Sequence, residues 1–72
     1  MGTFEVVVYN RKVLEARRLR TANHTGLEES WADLHYIPIW AETADDARQR
    51  IQHRYPARRG FVVQQVVLLP QL

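Results

Sequence analysis

The side chains able to carry chemistry in this sequence are few: His24, His35, His53, a scatter of carboxylates of which Asp33 is the nearest to a histidine, and a single serine, Ser30. Zinc would need three or four such groups converging at roughly 2.0 to 2.2 Å, and the local spacing that sets two histidines on one helical face is absent. His24 lies in a polar stretch. His53 follows Ile51 by two residues, roughly 200° round a helix, and so faces solvent if Ile51 faces a core. His35 opens an apolar strand and reads as a hydrogen-bonded residue at the sheet end. Asp33 and His35, at i and i+2, would share a strand face and could form an acid-base dyad. The commoner role of such a pair is a local hydrogen bond that orders a strand entrance, and Ser30 has no glycine-flanked turn to make it a nucleophile. With glycine only at positions 2, 26 and 60, there is no phosphate-cradling loop. No catalytic residue, metal or cofactor is expected, and the chain does not read as an enzyme.

Two other groupings remain. The segment "ESWADLHYIPIW", residues 29 to 40, holds Trp31, His35, Tyr36 and Trp40 around Pro38. Together with Tyr9, the rings of Trp31, Tyr36 and Trp40 are candidates for an interface, because large aromatic side chains dominate contact energetics. The net charge is only +2, but the cations are clustered: Arg11, Lys12, Arg17, Arg18 and Arg20 in one group, Arg48, Arg50, Arg54, Arg58 and Arg59 in another. Arg11, Lys12, Arg17 and Arg18 are the candidates for an anionic partner, since arginines beside exposed rings make an electrostatic and stacking surface for nucleic acid. Against that stand Glu5, Glu28, Glu29 and Asp33 in or beside the same elements, and the lack of an RNA-recognition signature in "TFEVVVY" or "GFVVQQVV".

The elements that must position these residues are legible from pattern. Residues 3 to 9, "TFEVVVY", are β-branched and aromatic on both faces, which marks a central strand. Asn10 can cap a following short helix over residues 11–20, with Val13, Ala16 and Leu14 or Leu19 on its apolar side. The polar "TANHTGLEES" is a loop. In "LHYIPIWA" the residues alternate, Ile37, Ile39 and Ala41 against Tyr36, Pro38 and Trp40, and Pro38 cannot donate to a ladder, so this strand belongs at an edge. A helix over residues 43–55 follows, capped by Thr43, with Asp45 and Asp46 at its positive end, Ala44, Ala47, Ile51 and Tyr55 as its inner stripe, and Pro56 as its stop. Gly60 turns the chain into a last strand, "FVVQQVVLL". The fold class expected is α+β: a small, mainly antiparallel three-stranded sheet of order 2-1-3, covered by one firm helix.

Residues 41–63, "AETADDARQRIQHRYPARRGFVV", resemble a strand-helix-strand segment of small uncharacterised bacterial and phage-associated proteins. The resemblance implies a fold and no function, and assigns no site residue.

At 72 residues the chain is one domain, close to the smallest that a single core supports. A hydrophobic content of 46% is that of a folded protein and not of a disordered one. The absence of cysteine removes disulfides and thiolate chemistry and fits a reducing compartment. The longest apolar runs are far short of the roughly 20 residues that span a bilayer, and "MGTFEVVV" has no basic leader, so no membrane partner and a cytoplasmic location are expected. The sequence therefore reads as a non-enzymatic interaction module. Its partner is most simply a second copy, giving a homodimer, or else a heterologous protein. Residues 11–20 and that second copy share the covering of the aromatic sheet face. Nucleic-acid binding through Arg11, Lys12, Arg17 and Arg18 is the alternative.

Overall fold

A computed structural model describes residues 1–71 of the protein. The elements are β1 (Gly2–Asn10), α1 (Arg11–Leu19), β2 (His35–Ala41), α2 (Ala44–Arg54) and β3 (Phe61–Leu68), with 3-10 turns at Glu29–Ala32 and Ala57–Arg59. The sheet order is β2-β1-β3, and β1 is antiparallel to both neighbours. This is the expected α+β arrangement. Pro38 lies in the edge strand β2, paired across from Glu5, where its missing N–H is tolerated.

Because paired residues of neighbouring strands share a face, the register divides the sheet cleanly. Phe4, Val6 and Val8 join Ile37, Ile39, Val63 and Val66 on one side. There they meet Ala47 and Ile51 of α2, with Ala41 and Phe61 completing the core. The two small residues, Ala41 and Ala47, are both fully buried and let α2 sit close to the strands. Thr43 caps α2 by accepting from the Asp46 amide at 3.1 Å, and Asp45 and Asp46 occupy its first turn, as the helix dipole favours. The helix's inner stripe is narrower than the spacing suggests: Ala47 and Ile51 are buried and Tyr55 half-buried, while Ala44 is exposed. It lies in the first turn, before the helix has come down onto the sheet.

One polar residue is wholly enclosed. Asn10, 0% exposed, ends β1 and caps α1, its Oδ1 accepting from the amides of Lys12 (3.0 Å) and Val13 (3.2 Å), while its Nδ2 donates to the Arg59 carbonyl at 3.1 Å. Gly60 beside it has φ 97°, and a Cβ there would meet Asn10 Oδ1 and Lys12 Cγ, each at 2.8 Å. Only glycine fits both the angle and the space. The loop before β2 is also bonded: Asn23 Nδ2 donates to the Leu27 carbonyl at 2.8 Å, its Oδ1 accepts from Thr25, and Leu27 packs on the core.

Replacing Ile51 by Ala should destabilise the fold by about 2 to 4 kcal/mol, the usual loss for a buried branched side chain. His53→Ala, at an exposed position two residues on, should be near neutral; thermal melts of the two variants check the helix orientation.

Candidate interaction surface

The opposite side of the sheet is not covered by α2, and α1 reaches only its Tyr9 end. Its residues, by register, are Thr3, Glu5, Val7 and Tyr9 along the centre, Tyr36, Pro38 and Trp40 along one edge, and Val62, Gln65 and Val67 along the other. Tyr36 is 58% exposed and Trp40 55%. Between the edges Val7 is buried at 4%, so the centre of the face is already dry while its rings stand in solvent. The expected covering by residues 11–20 is confined to one end. After Asn10, α1 packs chiefly against the Glu29–Ala32 turn, burying Val13, and meets the open face only where Tyr9, Leu14 and Leu19 line a shallow hollow with Arg11, Glu15 and Arg18.

Trp31 is not on this face. The expectation that it joins Tyr9, Tyr36 and Trp40 is corrected by the 3-10 turn Glu29–Ala32, which carries its ring to the α2 side. There it stacks on His35 with centroids 3.9 Å apart and planes 7° from parallel, and meets Tyr55 and Phe61 at 5.2 Å each. Tyr55 and Phe61 in turn pack edge to face at 5.1 Å. These four rings close the open end of the core between β2, α2 and β3. Sequence reasoning missed this because alternation holds only inside a strand, and Leu34 is already outside β2.

Among the described residues no hydrogen bond joins a histidine to a carboxylate. His35 Nε2 lies 2.9 Å from the Ser30 carbonyl, a local bond at the strand entrance. Asp33 is taken by a different partner: the Arg17 guanidinium donates to both of its oxygens, at 3.0 and 3.3 Å, an exposed pair that ties α1 to the segment before β2. That hydrogen bonding, with the guanidinium charge, holds the Asp33 carboxyl below its ordinary range and raises Arg17. Both carboxylate oxygens of Asp33 thus face a cation, not the imidazole. His24 and His53 are exposed on separate elements, and among the described residues no three His, Asp or Glu gather as metal ligands would.

Of the four basic candidates, Arg17 is engaged by Asp33 and Lys12 Nζ donates to the Arg58 carbonyl at 3.3 Å. The Arg11 amide bonds Gly60 O at 2.8 Å, so the start of α1 and the Ala57–Arg59 turn lie side by side. Two basic groups distant in sequence therefore adjoin, through Lys12 and Arg58. Arg11 and Arg18 flank the hollow beside Tyr9. No helix among the described residues is long and apolar enough to cross a membrane.

Comparison with protein-family models, curated proteins and solved structures finds no match for the chain.

Trp31→Ala should lower unfolding stability by about 3 kcal/mol or more, since it removes a ring packed against three others. Chemical denaturation at several protein concentrations checks it, the loss being the same at each.

Proposed function

We propose that the protein is a small non-enzymatic interaction module that associates with a second copy of itself through the open sheet face. The observation that carries this reading is the half-exposed pair Tyr36 and Trp40, on a sheet face whose central Val7 is dry. Large aromatic rings left half-exposed on one strand face are the kind of surface that association buries.

The distribution of charge on the face favours a like partner. Glu5 stands on the central strand, and Arg11 and Arg18 flank the Tyr9 end. Strand residues advance by about 3.3 Å each, so a two-fold axis through Val7 with strands antiparallel sets Glu5 of one copy over Tyr9 of the other, toward those arginines. Each acid then approaches the cationic end of its mate. In this arrangement Tyr36 lies level with the axis, Tyr9 two residues from it, and Trp40, opposite Thr3, four residues out along the β2 edge, where its ring covers the end of the contact.

Binding of nucleic acid through Arg11, Lys12, Arg17 and Arg18 has less support. Arg17 is held by Asp33 and Lys12 by the Arg58 carbonyl, which leaves two of the four free to follow a phosphate backbone, beside Glu15 in the same hollow.

Trp40→Ala should weaken self-association by about 2 kcal/mol or more, as loss of a buried aromatic anchor does. The isolated fold should stay intact, because Ile37, Ile39 and Ile51 pack on the other side. Sedimentation equilibrium reads the first effect and circular dichroism the second; an unchanged association constant would dismiss the face as the contact.

A further inference from the structure

The two edges of the sheet differ in a way that the face contact does not use. β2 is guarded by Pro38 at its centre. β3 has no proline and no charge from Phe61 to Leu69, its one interruption being a register shift at Gln64, and Gln64, Gln65, Val67 and Leu68 are exposed. Long, uncharged, β-branched edges are what natural sheets avoid unless another strand pairs with them.

The sequence of this edge is also self-complementary. "FVVQQVVL", residues 61 to 68, reads the same in chemical type from either end. If two copies of β3 run antiparallel about a two-fold axis between Gln64 and Gln65, Phe61 falls opposite Leu68 of the other copy. Val62 then falls opposite Val67, Val63 opposite Val66, and Gln64 opposite Gln65.

In a regular strand this register would fail, because positions an odd number apart point to opposite faces while residues paired across two strands must share one. The irregularity in β3 removes the conflict. Val8 pairs with Val63 and Val7 with Gln65, so Gln64 is an inserted residue, a β-bulge. Beyond it the faces are reversed: Val62 (opposite Tyr9) and Val67 (opposite Glu5) both lie on the open face, whereas Val63 and Val66 lie on the α2 side with Phe61 and Leu68. Every apolar pair of the palindrome is then matched in face as well as in type.

We infer that the β3 edge is a second self-association surface, at which a second copy adds its own β3 antiparallel to give a continuous six-stranded sheet centred on Gln64 and Gln65. The axis is perpendicular to the sheet, so both copies of α2 lie on one side and both aromatic faces on the other. The contact is independent of the face contact and widens that face instead of covering it. Because the face contact uses an axis in the sheet plane, both fit together in a four-copy assembly of D2 symmetry.

The test isolates the edge by placing every variant on a Trp40→Ala background. That protein should sediment as a dimer. Gln64→Lys with Gln65→Lys, and separately Gln64→Glu with Gln65→Glu, bring like charges together across the axis and should each sediment as monomers; both positions are exposed, so circular dichroism should be unchanged. An equimolar mixture of the Lys and Glu proteins should return to a dimer. A monomeric Trp40→Ala parent overturns the proposal, as do charged variants that stay dimeric or a mixture that stays monomeric. Failure of the face reading has a different signature: wild type and Trp40→Ala would sediment alike, both as dimers.

Discussion

Everything in this small protein follows from one strand having two dry faces and the chain having one helix to spend on them. Phe4, Val6 and Val8 of β1 point to α2, and Val7 points away, yet Val7 is as buried as its neighbours at 4% exposure. A central strand must be apolar on both sides when its flanking strands hem it in. At 72 residues, α2 covers one side and α1 is drawn off to the Glu29–Ala32 turn. The uncovered rings of Tyr36 and Trp40 are the consequence.

The departure of α1 has its own physical cause. Asn10 is a strand residue and a helix cap at once, and its bond to the Arg59 carbonyl fixes where β1 must end relative to the turn before β3. Burying an amide side chain is tolerable only when its polar atoms are satisfied, and here Oδ1 accepts two bonds while Nδ2 donates one. Gly60 leaves the room for it. The Arg17–Asp33 pair then holds the far end of α1 against the segment that leads into β2. A helix anchored at both ends in this way lies over the end of the open face near Tyr9 and leaves the rest.

Much of the fold was legible in the residues because each mark had a single physical meaning. Pro38 within an alternating run can only be an edge, and a strand apolar on both faces can only be central, which together give the order β2-β1-β3. Thr43, Asp45, Asp46 and Pro56 delimit α2 within a residue at each end. Trp31 was not legible, since a 3-10 turn has no apolar period to read. A closer signal lay in its company: Tyr55 and Phe61 bracket the turn into β3, and rings at the end of a core attract another. The surface at β3 was only half legible. The palindrome is in the string, but the bulge that makes it consistent is visible only in the register, and the pairing of Asp33 with Arg17 instead of His35 likewise depends on where α1 is carried.

In the proposed assembly the Trp40 ring is buried against a second copy of the chain. Trp31→Phe keeps an aromatic ring in the interior cluster and leaves Trp40 as the sole indole. The emission maximum of that variant, followed over a hundredfold dilution, should move to the red as the assembly dissociates and Trp40 enters water. An emission maximum fixed at the fully hydrated wavelength at every concentration, with the protein folded throughout, would contradict it.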